Sequence, residues 1–218
     1  MSEPIKIDIW SDIACPWCYI GKRKLEAGLA RFAEDPANPP VEIEYHSFEL
    51  SPDTPVDFDG TEIDFLVQHK HLSEAQVRPM LDRVTGIAKE VGLHYDFDAL
   101  QHTNTVKAHQ LLHYAKAHGR QLEMKERLLR AYFVEGRHVG RVEDLADLAA
   151  EIGLDRDDVV RSLDGDEYLE AVRADGQQAR AYGISGVPFF VIDQQLGVSG
   201  AQAPEVFAEA LAQVAAER

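Results

Sequence analysis

Cysteine is scarce in this chain, at two in 218 residues, and both fall within one tetrapeptide. That excludes a small secreted scaffold held together by disulfides. No stretch approaches ~18 consecutive apolar residues, so no transmembrane helix is expected. Positive charge is also short. Lys and Arg number 22 against 38 Asp and Glu, a net charge of −16, which disfavours sequence-independent binding to nucleic acid or to an anionic membrane surface. Internal repeats and low-complexity tracts are absent, and a 45% hydrophobic content is that of an ordinary folded protein. The N-terminus carries no basic segment followed by an apolar one, so a cytoplasmic protein is expected, in a compartment that keeps most thiols reduced.

Hydrophobic periodicity divides the chain into an α/β frame and a helical block. Ile5, Ile7 and Ile9 alternate with Lys6 and Asp8, a strand of period two. Leu25, Gly28, Leu29 and Phe32 then fall at helical spacing, with Pro16 placed where a helix start tolerates a missing N–H. After a proline-rich loop over 35–40, Val41, Ile43 and Tyr45 define a second strand, and 51–60 reads as a linker. The following hundred residues carry helical patterns, beginning with a capping box at Ser73–Gln76 and a proline at 79 that predicts a kink or a restart. Strand character returns at Pro188-Phe189-Phe190-Val191-Ile192, Asp193 to Leu196 turn a hairpin into Gly197-Val198-Ser199, and Val206, Phe207, Ala210, Leu211 and Val214 form a last amphipathic helix. The order is βαβ, many helices, then ββα.

The chemistry sits in Cys15-Pro16-Trp17-Cys18, directly after a strand and opening a helix. A thiol does redox work as its thiolate and needs a lowered pKa. A helix N-terminus offers free N–H groups and a favourable dipole. Cys18, one turn later, is placed to close a disulfide with Cys15. A zinc site would want four ligands, and there is no second cysteine pair. Gly186-Val187-Pro188 precedes an apolar strand, where proline is tolerated at the first position.

Together with Ile9-Trp10-Ser11-Asp12 ahead of the cysteines, Asn104-Thr105 with Ala108-His109, and Ser199-Gly200-Ala201-Gln202, these segments resemble the DsbA family of thioredoxin-fold oxidoreductases, and most of all its FrnE-like branch. The resemblance implies an α/β, thioredoxin-like fold formed by residues 1–52 and 170–218 and interrupted by a large all-helical insertion over 53–169. It implies that Cys15 is an exposed nucleophile attacking a disulfide through a mixed disulfide, and that buried Cys18 resolves it. Val187 and Pro188, the latter cis, would line a groove for the substrate. Trp17 would present its ring beside the sulfurs or pack on the insertion. Disulfide- or dithiol-containing proteins, or small thiols such as glutathione, are the implied partners. No metal or organic cofactor is implied, and a monomer or homodimer is expected.

The chain departs from the family prototype in two places. Trp17 stands where the prototype carries a histidine, so a weaker oxidant is expected. The prototype's buried acid corresponds to apolar Ile9, which leaves Asp12 as the nearer carboxylate, able to modulate cysteine protonation or simply to cap a turn. Pro16 is the other candidate for tuning the thiol. Asn104 reads as a helix cap and a substrate-site candidate. His109 and His113, one turn apart, lack a third ligand and read as packing or surface residues. Lys22-Arg23-Lys24 reads as a solvated helix face. Two alternatives stand beside the oxidoreductase. One is a glutathione-dependent isomerase or transferase of the same superfamily, of the kappa-class or 2-hydroxychromene-2-carboxylate isomerase type. The other is a non-catalytic peptide-binding holdase.

Overall fold

The structure, a computed structural model, describes residues 3–218. Strand β1 (Ile5–Ser11) pairs in parallel with β2 (Val41–Ser47) after helix α1 (Pro16–Phe32) crosses over. Near the C-terminus, β3 (Phe189–Ile192) pairs antiparallel with β1 and then with β4 (Leu196–Ser199), so the sheet order is β2-β1-β3-β4. The last helix, α9 (Pro204–Ala216), lies against α1 on one face of the sheet. Ile5, Ile7 and Ile9 meet Leu25, Phe32, Phe190, Phe207 and Leu211 there in one apolar core. This is the thioredoxin arrangement, split between the two ends of the chain.

The alternation along β1 is real, but its polar face is not solvated. Asp8 and Trp10 are buried beneath α8 (Leu169–Ala181), which covers the second face. Trp10 donates its indole N–H to the Asp175 carbonyl at 3.1 Å and stacks on His46. His46 bridges two carboxylates, with Nε2 2.7 Å from Asp8 and Nδ1 3.0 Å from Asp175. Period two tells that residues alternate; it does not tell what covers each face.

Between β2 and α8 run six helices among the described residues: α2 (Glu62–Lys70), α3 (Glu74–Glu90), α4 (Val106–Ala117), α5 (Gln121–Phe133), α6 (Val142–Glu151) and α7 (Arg156–Asp164). The linker expected over 51–60 has no helix or strand, and helix α2 follows it at once. Helix α3 continues through Pro79. The carbonyl of Ala75, which loses its donor to the proline ring, lies on an exposed part of the helix, open to solvent. The helical block shares its core with the thioredoxin half. Ile13, Tyr19 and Ile20, beside and within the first turns of α1, pack in the same cluster as Leu111, Leu128 and Tyr132.

Candidate active site

Cys15 is the N-cap of α1, in extended conformation, with Pro16 as the first helical residue. Cys18 donates its N–H to the Cys15 carbonyl at 3.0 Å, so the two cysteines bracket the first turn. The neighbouring strand entry is close: the Cys15 thiol lies 3.5 Å from the Val187 carbonyl oxygen. The Val187–Pro188 peptide bond is cis, as the resemblance implies. Gly21 is what lets Pro188 approach the helix. A Cβ there would stand 3.0 Å from Pro188 Cγ and 3.4 Å from Phe190 Cζ.

Cys15 is not the exposed sulfur that the resemblance implies. It retains 4% of its accessibility, scarcely more than Cys18 at 3%. The cause is the helical block, which roofs the motif. Tyr95, in the segment between α3 and α4, donates its hydroxyl to the Pro16 carbonyl at 2.7 Å. Access runs through a cavity of about 550 Å³ lined by Cys15, Pro16 and Trp17 on one side and by α2 and α3 on the other. Its walls are apolar at Phe65, Leu81, Val84 and Phe97, and cationic at Lys70 and Arg83. Trp17 is 40% exposed and forms part of this wall.

The protonation of the pair also differs from the simple picture. Cys15 is pushed well up, first by its hydrogen bond with Cys18, then by burial and by the negative charge nearby, Asp12 included. Cys18 is held down: burial opposes this, but the shared proton on Cys15, the Lys125 charge and the Ser11 hydroxyl prevail. Of the two sulfurs, Cys18 is therefore the more readily ionised and Cys15 the one that holds its proton more tightly.

Asp12 is fully buried. Its carboxylate takes the Leu50 N–H at 2.8 Å and the Ala14 N–H at 3.4 Å, and lies 3.2 Å from His109 Nε2. Burial pushes its pKa up, yet His109, Leu50 and Thr105 outweigh that and keep it below the usual carboxylate range. It thus ties the cysteine loop to both β2's exit and α4, and supplies a fixed negative charge near Cys15. His109 and His113 do not face a common ligand: His113 Nε2 instead meets Asp175 at 2.9 Å. Asn104, one residue before the N-cap Thr105 of α4, accepts the Val106 N–H at 2.8 Å, and its amide donates to the carbonyls of Pro52 and Thr54. Thr103 and Thr105, on either side of it, line the cavity.

The basic run after the motif is not a solvated face. Lys22 is buried and bonds Glu126 at 2.7 Å, Arg23 pairs with the same carboxylate, and Tyr19 donates its hydroxyl to it at 2.6 Å. Burial would raise Glu126, but these three partners hold its pKa down at about 2. This seam bolts α1 to α5. Sequence reasoning missed Tyr95, Lys125 and Glu126, because nothing in a helix's own periodicity says which foreign side chain its polar residues will meet.

A cysteine pair at the first turn of a helix, beside a cis-proline strand entry on a thioredoxin frame, defines the class of dithiol–disulfide oxidoreductases. The family model for the DSBA-like thioredoxin domain matches residues 6–212, and the chain belongs to that family. A probable DsbA oxidoreductase from Streptomyces coelicolor is similar throughout, with 39% identity, 98% of this chain and 91% of that one covered, and a TM-score of 0.89. An uncharacterised Bacillus subtilis protein, YwbO, is 27% identical over 95% of this chain and 96% of its own. The cytosolic disulfide reductase DsbM from Pseudomonas aeruginosa, also solved with GSH, shares the fold at a TM-score of 0.68 and 18% identity, covering 98% of this chain and all of the other. No helix among the described residues is long and apolar enough to cross a membrane.

Proposed function

We propose that this protein is a cytoplasmic thiol–disulfide oxidoreductase whose Cys15–Cys18 pair exchanges electrons with low-molecular-weight disulfides, glutathione disulfide among them, or with extended peptide segments. The observation that carries this reading is the roofed position of Cys15, which a folded protein surface does not reach and which a 550 Å³ cavity does. A glutathione-sized molecule fits such a volume. Lys70 and Arg83 in its wall suit a ligand with carboxylates. The complex of DsbM with GSH, a protein of the same fold, points the same way.

Cys15 is the attacking sulfur, Cys18 the resolving one, and the Val187 carbonyl orients the thiol of Cys15. Trp17 and Pro16 form the rim past which substrate enters. The missing histidine beside Cys18 and the proton held on Cys15 both lower the oxidising power, so the pair is a weaker oxidant than DsbA. Incubating Cys18→Ser with oxidised glutathione tests the reading: a stable one-to-one mixed disulfide at Cys15 is expected, and Cys15→Ser should form none. Labelling of neither variant refutes it. Turnover of a substrate without a disulfide by Cys18→Ser would favour the glutathione-dependent isomerase type instead.

A further inference from the structure

Helix α2 walls the cavity over Cys15, and little holds it down. Only Glu62 and Phe65 among its nine residues are buried, and both meet the same residue, His102. Glu62 Oε2 lies 2.7 Å from His102 Nδ1, and the Phe65 ring stacks on the imidazole with centres 3.4 Å apart. Phe58 sets its ring edge-on to both. His102 belongs to the segment ahead of α4 and is itself buried. Apart from this contact, α2 packs against α3 as the other arm of a hairpin. Helix α3 is anchored quite differently. It buries Val77, Leu81, Val84 and Ala88, the last two in the core of the helical block.

The contact that holds α2 is finely balanced. His102 Nε2 is buried with no hydrogen-bond partner among the described residues, which disfavours the closed arrangement. Lifting α2 would let water reach that nitrogen and Glu62 together. Burial of the Phe65 ring pulls the other way. An element with few buried apolar contacts opens more readily than the core around it. The ends of α2 are built for such a movement. Gly60, just before its N-cap, has φ +150°, and His71, its C-cap, has φ +53°. Residues at element ends are where hinges absorb rotation. Thr103 and Asn104 fix the linker to the body as far as Val56, through the carbonyls of Pro52, Thr54 and Val56. Beyond it comes the exposed pair of Asp57 with Arg141, which solvent screens.

We propose that α2 is a lid over the redox site and that His102 is its latch, a positioning residue that sets how large a disulfide reaches Cys15. The disulfide as substrate rests on the oxidoreductase reading given above; access to the sulfur is measured without turnover. The chemistry calls for an opening. A disulfide R–S–S–R brings two R groups to Cys15. Cys15 Sγ bonds to one sulfur, the S–S bond breaks, and the other half leaves as R–S⁻ with the electron pair. A cavity of about 550 Å³ is the space of one drug-sized molecule. The half that leaves needs room of its own, and α2 is the least anchored part of the wall. With the latch closed, the site takes small disulfides. With it open, a larger disulfide or an extended peptide segment reaches the sulfur. Phe65 and Glu62 form the moving side of the latch, and His102 forms the fixed side.

The test measures the size of reagent that Cys15 admits. In a Cys18→Ser background, so that one thiol reports, the rate of labelling by N-ethylmaleimide is compared with that by a maleimide carrying a long polyethylene glycol chain. The small reagent should react much faster than the large one. Adding His102→Ala should narrow that ratio by about tenfold or more, the effect of weakening the latch by ~1.4 kcal/mol. His102→Phe, which keeps the stack and loses the hydrogen bond, should narrow it less. Hydrogen exchange of the full chain gives the second readout. Amides of 62–70 should exchange faster than those of α4 and α5, and faster again in His102→Ala while α4 and α5 hold. Phe65→Ala breaks the same latch from the α2 side and should act like His102→Ala, which keeps the test open if His102→Ala does not fold. A ratio that stays the same in these variants, or two reagents that speed up equally, overturns the lid. So does exchange over 62–70 as slow as in α4. Labelling of Cys15 by neither reagent in any variant would instead strike at the oxidoreductase reading itself.

Discussion

Protonation of His46 should couple folding to pH in a window well above the usual histidine range. Burial alone would lower its pKa, but the carboxylates of Asp175 and Asp8 on either side raise it from 6.5 to about 9. The side chain is 10% exposed, so solvent screens little of this. At ~1.4 kcal/mol per tenfold, that rise corresponds to at most about 3 kcal/mol of folding free energy. The same energy reappears on Asp175, whose pKa burial raises but His113 and His46 lower strongly, and it is counted once. Because the folded pKa lies above the unfolded one, the contribution is complete below pH 6.5. It fades as pH climbs and is gone once pH has passed about 9. Urea denaturation of wild type and of His46→Gln at pH values from 5.5 to 9.5 reads it directly, since the cysteines and Lys125 cancel in the difference. We expect the wild type to lead by about 2–4 kcal/mol at pH 6, because the variant leaves Asp8 and part of Asp175 without a partner. The lead should shrink by about 2–3 kcal/mol by pH 9.5. A difference that stays constant across that range would show that His46 is neutral in the folded protein and that the two carboxylates are satisfied by other means.

Two glycines on α1 give contrasting expectations. At Gly28 a Cβ would stand 2.7 Å from Phe207 Cβ and 2.8 Å from the Pro204 carbonyl oxygen. Backbone does not yield, so Gly28→Ala should force α1 and α9 apart and cost about 1–3 kcal/mol despite its better helix propensity. A melting temperature lower by roughly 2–10 °C is the expected readout, and no change would mean that the helices pack more loosely than described. At Gly21 the contact is with a proline ring at 3.0 Å that can shift by a few tenths of an ångström. Gly21→Ala should therefore keep stability within about 1 kcal/mol of wild type, yet change the rate at which Cys15 reacts with a small disulfide several-fold, because Val187 moves with the ring. Unaltered stopped-flow kinetics would separate Pro188 from the reactivity of the sulfur.

The frame of this fold was legible because each of its elements carries its own signal. Ile5, Ile7 and Ile9 alternate, Pro188 opens a strand, and Phe207, Leu211 and Val214 share a helix face whatever lies opposite. The helical character of the insertion was legible more than its detail. Helix α2 escaped a separate reading because nine residues with polar ends give a weak period. Pro79 predicts a kink or a restart, and α3 runs on through it without restarting, because the proline falls on an exposed side of the helix where the orphaned carbonyl is open to solvent. In each case the sequence pattern reports one element's own preference, and the outcome was decided by exposure.

The site divides along the same line, and the division explains which residues went unseen. Cys15 and Cys18 are three positions apart in one turn, so sequence spacing is spatial spacing. Lys125 lies more than a hundred positions from either, and Lys22 meets Glu126 across a similar gap. A lysine in a helix is normally read as solvated, because nearly all are. Lys22 and Lys125 are buried for opposite reasons: one has a carboxylate waiting, the other has none. The first is ordinary ion pairing at a helix seam. The second lies over an aromatic face, its Nζ 5.3 Å from the centre of the Tyr45 ring. The surroundings of both lysines are set by residues far along the chain, so no local pattern encodes either burial.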